Sequence, residues 1–253
     1  MGKFAKWLGA GAGFTLGGPI GAIIGFAVGS FIDGISVEDF VQEQQEFQKK
    51  TGGQPRRGRA TSGDFEISLL ILASVVIKSD GKIDKRELDY VRAYFVKMYG
   101  KERANHAFKL FNGIIKKQIS TRQVCLQIRQ YMSHATRLQL LHFLFGIAKA
   151  DGQVTSVEEE EIRKIASYLY INEYDYSSIK AMFYDESDGA YKMLEITKES
   201  TNDEVKKAYR RMAKKHHPDK LQNLGEEHKK GANEKFQKIQ AAYEQIKKER
   251  GIS

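Results

Sequence analysis

A basic stretch near the carboxyl terminus, residues 206–220, constrains the fold of this chain more than any other feature. Apolar side chains recur along it at spacings of three and four residues, which predicts a helix with one buried side. These side chains are Val205, Ala208, Tyr209, Met212 and His216. Pro218 ends the helix, because proline has no backbone N–H and disfavours helical geometry in the preceding residue. His217 and Asp219 are therefore expected at the tip of a loop.

The other faces of this helix carry two rows of cations. They are Lys206, Arg210 and Lys214 on one line, at intervals of four residues, and Lys207, Arg211 and Lys215 on the next line. Like charges stacked at this spacing repel each other, so we expect the rows to face an acidic partner rather than to stabilise the helix. The alternative is a solvated charged helix followed by an ordinary turn.

The last quarter of the chain resembles the J domain of DnaJ-type co-chaperones. The resemblance covers roughly residues 188–248 and rests on YKMLEI, TNDEVKKAYRRMAKKHHPDK and EKFQKIQAAYEQI, in that order. It implies three to four helices, with the second and third antiparallel, and a DnaK-type ATPase chaperone as the partner. Between the second and third helices, residues 221–231 are expected to form a loop longer than in a minimal J domain. The third helix, about residues 232–248, is expected to pack on the second through Phe236, Ile239, Ala242, Tyr243 and Ile246. The residues that it implies for partner binding are Lys206, Arg210, Arg211, Lys214, His217, Pro218 and Asp219.

The resemblance also implies that the ATP chemistry belongs to the partner. The chain has no GxxxxGK[ST] phosphate-binding loop, so we expect an activator that is not an enzyme and needs no cofactor. The net charge is +9, but the basic helix has no interleaved exposed aromatic residues, and nucleic-acid binding is not expected.

The amino-terminal segment has no charged residue from Trp7 to Ile32, a run of 26 residues. About 20 helical residues cross a hydrocarbon core, so the run is long enough for one span. Glycines recur every fourth residue at positions 9, 13, 17, 21, 25 and 29, and such a stripe lets a second helix approach closely. We expect a membrane segment over residues 1–34, with a homodimer through the stripe as an option. A helical hairpin broken at Pro19, a peripheral glycine zipper and a cleaved secretory signal are the alternatives.

Charges on either side of this segment do not fix its orientation. A J domain must meet an ATP-using chaperone, so we expect a single pass through the inner membrane with the carboxyl-terminal bulk in the cytoplasm. A cytoplasmic, peripheral protein is the alternative. Residues 35–63 are expected to form a short polar helix and a Gly- and Arg-rich linker.

The middle of the chain contains an internal repeat. The segment LLILASVVIKSDGKIDKRELDYVRAYF, from Leu69, aligns with LLHFLFGIAKADGQVTSVEEEEIRKIASYL, from Leu140. Each copy is an apolar helix that ends in Asp-Gly and is followed by a helix rich in acids. The first helices, residues 65–77 and 138–148, are apolar nearly all round but too short to span a bilayer. We therefore expect them at the centre of a helical bundle.

The repeated KSDGKID and KADGQVT segments make this domain similar to TerB-like (tellurite-resistance) domains. Acidic side chains beside the two loops invite a metal-site interpretation, because carboxylates suit hard cations. The weak candidates are Asp80, Asp84, Glu87, Asp151 and Glu158. The spacing is not that of an EF-hand, and Thr155 replaces the second copy's equivalent of Asp84, so turn and helix-cap roles are expected instead. A metal or tellurite-stress sensing module with the J domain as output is the alternative function.

The single cysteine and the histidines of the middle domain are expected to have structural roles. The single cysteine, Cys125, excludes an internal disulfide and a CxxC zinc site, and its apolar neighbours predict a buried thiol. His106, His134 and His142 have no partner in a catalytic or metal-binding pattern and are expected to be structural.

With only three prolines and helical spacing throughout, we expect an all-α chain. Its predicted parts are residues 1–34, a glycine-patterned membrane segment; 35–63, a polar helix and linker; 64–184, the TerB-like bundle; and 185–253, the J domain. This order resembles the DjlA-like group of membrane-anchored co-chaperones. The function implied is recruitment of a DnaK-type chaperone and stimulation of its ATP hydrolysis at the cytoplasmic face of the inner membrane.

Overall fold

The computed structural model describes residues 62–252, except for residues 117, 153, 185, 186 and 225. Every regular element in this part of the chain is a helix, which confirms the all-α expectation. The glycine-repeat segment, the polar helix and most of the linker lie outside the described residues, together with the predictions made for them. None of the helices within the described range is long and apolar enough to cross a membrane.

Seven of the described helices form the middle domain. They are α1 (Ser62–Ile77), α2 (Lys85–Tyr99), α3 (Lys101–Ile114), α4 (Thr121–Tyr131), α5 (His134–Ala148), α6 (Ser156–Tyr168) and α7 (Glu173–Ala181). The two apolar helices of the repeat, α1 and α5, pack against each other, and α5 is buried on every side from Leu138 to Ala148. They are the central helices of the bundle, as their all-round apolar sequence predicted. Cys125 on α4 is fully buried, and burial raises the pKa of its thiol to about 12.

The internal repeat is visible in how the acidic helices begin. A capping box starts each of them, with Asp84 and Glu87 at α2 and Thr155 and Glu158 at α6. In both boxes the first side chain accepts a backbone N–H of the first turn and the glutamate accepts the N–H of the cap residue. The predicted cap roles are therefore confirmed, and threonine does in the second copy what aspartate does in the first.

The carboxyl-terminal domain consists of α8 (Gly189–Met193), α9 (Asn202–Lys215), a 3₁₀ turn (Pro218–Leu224) and α10 (Glu226–Arg250). α9 begins with a capping box of Thr201 and Glu204. At its amino-terminal end, Arg250 of α10 donates to the carbonyl of Ser200 at 2.5 Å. Because the last residue of α10 meets the first turn of α9, the two helices run antiparallel, as the J-domain resemblance implied.

The predicted buried side of α9 is confirmed. Val205, Ala208 and Met212 are almost completely buried, and they face a stripe of α10 that includes Ile239 and Ile246. Two tyrosines, one from each helix, close the pair by stacking with their ring centroids 4.2 Å apart; they are Tyr209 and Tyr243. Burial of these apolar groups fixes which side of α9 is left for a partner.

A loop expected over residues 221–231 is largely helical, and this expectation was wrong. Gly231, the last residue of the expected loop, lies inside α10, which begins at Glu226. A Cβ atom at this position would lie 2.7 Å from Nε2 of Gln139 and 3.2 Å from the Tyr94 hydroxyl oxygen. The glycine is therefore there because the middle domain approaches the α10 backbone closely, which no local pattern reveals.

The two domains pack directly on each other. α10 contacts α2 and α5, the 3₁₀ turn contacts α5 and α1, and α8 contacts α7. Lys97 on α2 forms an ion pair with Glu234 on α10 across this interface. The loop that carries His217 and Asp219 is consequently held beside the amino-terminal turn of α5.

Candidate partner-binding site

The His217-Pro218-Asp219 loop follows directly after α9. His216 caps α9, and Pro218 starts the 3₁₀ turn, so the proline ends the helix as predicted. The backbone N–H of Asp219 donates to Nδ1 of His217 at 3.2 Å, and the His217 ring stands edge-on to Phe236 of α10. An acceptor role for Nδ1 places the neutral ring's proton on Nε2. The side chains of His217 and Asp219 are 51% and 59% exposed, so both can reach a partner.

One row of cations runs along the outer side of α9 toward this loop. It consists of Lys206, Arg210 and Lys214, at successive turns. None of the three forms an ion pair with another residue of the described part of the chain. Because the row has no acidic counterpart among residues 62–252 as the structure describes them, its positive potential is available to an incoming partner.

The second row of cations does not behave as the sequence suggested. Lys207 is exposed, but Nη2 of Arg211 donates to the Leu194 carbonyl at 3.1 Å and lies 3.7 Å from the Glu195 carboxylate. Lys215 is the most constrained, since its Nζ lies 2.5 Å from carboxylate oxygens of both Glu195 and Asp175. Like-charge repulsion along this row is therefore offset by internal acids, and Arg211 and Lys215 hold α9 in place.

Asp175 belongs to the middle domain, so its contact with Lys215 joins the two domains. It lies in the first turn of α7, where its backbone N–H donates to the Asn172 side chain. The carboxylate is 1% exposed and also bonds to Nε2 of His134 at 2.9 Å. Burial opposes its ionisation, but the hydrogen bonds from His134 and Lys215 lower the pKa of Asp175 below its usual value.

Further basic groups surround Asp175 at the interface. His142, His216 and Lys235 are each 3–4% exposed, and Nε2 of both histidines lacks a hydrogen-bond partner. Burial, followed by the nearby lysines, lowers the pKa of both histidines well below the usual value, and burial lowers the pKa of Lys235 to about 7. We call this set the interdomain cluster; its members are His134, Arg137, His142, Asp175, Lys215, His216, Lys235 and Lys238.

Sequence reasoning missed most of this cluster. His134 and His142 were expected to be structural, but not to meet another domain. A signal for Lys235 was present, since it stands four residues before Ile239 and seven before Ala242, on the apolar side of α10. A lysine on the apolar side of a helix lies either at a solvated end of that helix or buried against another part of the protein. Asp175 has no comparable signal, because an acid in the first turn of a helix is ordinary.

The acidic loops of the repeat are occupied by an arginine. Arg86 donates to the Asp84 carboxylate at 2.8 and 3.0 Å, and it also donates to the Asp151 carbonyl at 3.0 Å. Asp80 accepts the backbone N–H of Lys82 in its turn. The described residues contain no group of three or more acidic, histidine or cysteine side chains placed to hold a metal ion. The guanidinium supplies the positive charge between the two loops that a cation would otherwise bring.

Two of the acids form a buried pair across the repeat. Glu87 and Glu158, the capping glutamates of α2 and α6, are 5% and 6% exposed and share a hydrogen bond. Burial and the neighbouring carboxyl raise the pKa of Glu87 to about 8. The pair therefore holds a proton at neutral pH, which agrees with a structural role better than with a cation site.

Three families match successive parts of the chain. Residues 1–57 match the family described as co-chaperone DjlA transmembrane domain, residues 66–181 match tellurite resistance protein TerB, and residues 189–251 match the DnaJ domain. No solved structure matches the chain.

Curated relatives match over the whole length. Co-chaperone protein DjlA of Coxiella burnetii is 28% identical over 275 residues, which cover 100% of both chains. The protein of that name from Photobacterium profundum is 27% identical, over 98% of this chain and 99% of its own. The one from Shewanella oneidensis is 52% identical over 65 residues, 25% of each chain. Over its whole length this chain is therefore similar to the DjlA co-chaperones, and it carries in order a match to their transmembrane domain, a TerB domain and a carboxyl-terminal J domain.

Proposed function

We propose that this co-chaperone stimulates ATP hydrolysis by its DnaK-type partner through α9 and the His217-Pro218-Asp219 loop. The observation that carries the proposal is the row of Lys206, Arg210 and Lys214, which pairs with no acid in the described part of the chain and leads directly to the exposed loop. Steering by exposed charge raises the rate of encounter, whereas the loop provides directed contacts. Arg211 contributes less than the row, because its guanidinium is already bound to the J domain itself.

The loop would act through its two exposed polar side chains. Nε2–H of His217 is a donor and the Asp219 carboxylate an acceptor, and Pro218 fixes the backbone between them. These groups present directional hydrogen bonds at a fixed separation. The partner supplies the nucleotide and all groups that hydrolyse it, so this chain acts by changing the partner's conformation.

We place this activity at the cytoplasmic face of the inner membrane. The amino-terminal match to the DjlA transmembrane family supports a single membrane pass over residues 1–34, and an ATP-using partner requires the J domain in the cytoplasm. Spheroplasts and inverted vesicles treated with protease test this placement. The J domain is expected to be cleaved only in inverted vesicles. Cleavage in intact spheroplasts would show that the orientation is the opposite of the one proposed.

Loop function is tested by His217→Gln and Asp219→Asn in single-turnover ATP hydrolysis by the partner. Each change should reduce the maximal stimulation at least tenfold, because a directed hydrogen bond to a charged or buried group is lost. Asp203→Asn, an exposed acid at the other end of α9, is the matched control and should leave stimulation unchanged. Full stimulation by His217→Gln would remove the loop from the mechanism.

The cation row is tested by changing Lys206, Arg210 and Lys214 together to glutamine. The concentration for half-maximal stimulation should rise about tenfold at low salt, and the difference should shrink as salt screens the charges. A control with Lys198 and Lys248 changed to glutamine removes exposed charge elsewhere in the J domain and should have little effect. Equal loss in both proteins would mean that only net charge matters.

The alternative function, metal or tellurite-stress sensing by the TerB domain, has less support. Arg86 lies between the loops that carry Asp84 and Asp151, and the capping boxes account for Glu87 and Glu158. Calorimetric titration with Ca²⁺, Mg²⁺ or Zn²⁺ tests it directly. Saturable heat that disappears in Asp151→Asn would favour the sensing function.

A further inference from the structure

Three lysines of the J domain near the His217-Pro218-Asp219 loop are bound or buried by the TerB domain. Lys215, in the last turn of α9, is bound to Asp175. Lys235 is buried in the interface, and Lys238 donates to the Met182 carbonyl with its Nζ 4.4 Å from the Phe183 ring centroid. Separation of the domains would free Lys238 from the Met182 carbonyl and Lys215 from Asp175, and Lys215 would keep its ion pair with Glu195 inside the J domain.

Asp175 provides the negative charge at the centre of this contact. It accepts from Lys215 and His134, and it is also the acid that acts on the buried ammonium of Lys235. A buried cation without a close acid is costly, so removal of this carboxylate leaves several basic groups uncompensated in the closed interface. Separation of the domains returns these groups to water.

We propose that Asp175 is a positioning residue that holds the J domain docked on the TerB domain, and that this docking restrains binding of the DnaK-type partner. The docked arrangement engages or buries cations on the side of the J domain that meets the TerB domain, whereas the cation row of α9 stays available. After release these cations add to the positive charge that the row presents. It leaves the internal geometry of the loop intact, since the contacts of His217 with Asp219 and Phe236 lie within the J domain. Release should therefore lower the concentration needed for stimulation without changing the maximal stimulation.

This proposal rests on the proposed stimulation of ATP hydrolysis, so docking is measured separately. Lys97 and Glu234 form an exposed ion pair across the interface. A water-soluble carbodiimide activates the Glu234 carboxyl, the Lys97 amine attacks it, and an amide forms as the substituted urea leaves. The yield of this cross-link in the full chain, read by mass spectrometry of peptides, reports the docked fraction without any partner present.

The central variant is Asp175→Asn, which keeps the size of the side chain and removes its charge. We expect the cross-link yield to fall at least threefold and the concentration for half-maximal stimulation to fall about tenfold, with the maximum within twofold of the original. The matched control is Glu173→Gln, an exposed acid on the same helix that pairs with Arg163 inside the TerB domain. It should change neither quantity.

A second pair of variants tests the proposal independently if Asp175→Asn does not fold. Lys97→Glu places two acids opposite each other on exposed surface and also removes the amine that the cross-link needs, so the half-maximal concentration is its only readout; this should fall by a factor of about two to five. Adding Glu234→Lys restores an ion pair of reversed polarity that can again be cross-linked, and both the cross-link yield and the half-maximal concentration should return to the values of the original chain. A purely structural role of either residue predicts no such rescue.

The outcomes separate the two proposals. A lower cross-link yield with an unchanged or higher half-maximal concentration would overturn restraint by docking while leaving stimulation in place. Loss of stimulation in all variants, with normal cross-linking in Glu173→Gln, would instead overturn the proposed function. An unchanged cross-link yield in Asp175→Asn would show that this residue does not hold the domains together.

Discussion

Replacement of Glu87 by glutamine should stabilise the protein above neutral pH and change little in mild acid. Glu87 is buried against Glu158, and its pKa is raised from 4.5 to about 8 by burial and by the second carboxyl. A raised pKa in the folded state means that the stabilising contribution is complete below about pH 4.5 and is lost as the pH rises toward 8. Glutamine removes this loss, because it is neutral at every pH and its amide can donate to Glu158.

The size of the effect follows from the shift. At about 1.4 kcal/mol per pKa unit, ionisation of Glu87 would cost up to about 5 kcal/mol. Because relaxation around the buried carboxylate relieves part of this cost, we expect about half of it, 2–3 kcal/mol, between pH 5 and pH 9. The capping contact survives in the variant, since the amide oxygen can still accept the Asp84 N–H as the carboxylate does.

Urea unfolding of a chain that begins at residue 61, followed from pH 5 to pH 9, measures this difference. Other groups also titrate in this range, so the quantity of interest is the free energy of unfolding of Glu87→Gln minus that of the parent chain. Glu160→Gln is the control, an exposed acid on α6 that pairs with Lys164. If the curves for Glu87→Gln and the parent stay parallel over the whole range, the carboxyl pair does not hold a proton at neutral pH.

Three further predictions follow from other parts of the molecule. Acidification from pH 9 to pH 6 should loosen the docked J domain, because the lowered pKa values in the interdomain cluster mean that the separated domains bind more protons. Energy transfer between dyes on Lys101→Cys and Lys248→Cys, at exposed positions in the two domains, should fall. Met212→Ala should lower the free energy of unfolding by about 2–4 kcal/mol by opening a cavity between α9 and α10, whereas a loss below about 1 kcal/mol would mean that this core is loosely packed. Gly21→Leu should weaken any self-association of the full chain in detergent, measured by sedimentation, and an unchanged oligomer would exclude the glycine stripe as its contact.

Much of the local structure was predictable from the sequence because it depends on near neighbours. The capping boxes at Thr155 and Thr201 and the end of α9 ahead of Pro218 all depend on side chains within four residues of one another. The apolar lines of α9 and α10 likewise identified the J-domain core, since helical geometry alone places those residues on one side.

Local patterns failed where a distant residue changes the environment. Gly231 was read as part of a loop, yet it lies within a helix because Gln139 approaches its backbone. The second cation row seemed to face outward, yet Lys215 turns to Asp175, a contact between residues 40 positions apart. Neither outcome has a signature in the residues that surround the affected position.

The residue pattern was sufficient to predict a helical chain, a duplicated middle domain and a J domain with the His217-Pro218-Asp219 loop after a basic helix. Which cations remain available to a partner, and which are held by Asp175, depends on how the two domains pack. The physical reason is that helix formation and capping are set by neighbours in the chain, whereas the charge and burial of a side chain depend on every element packed against it. For Lys235 that difference turns an ordinary surface residue into a buried group whose pKa is lowered to about 7.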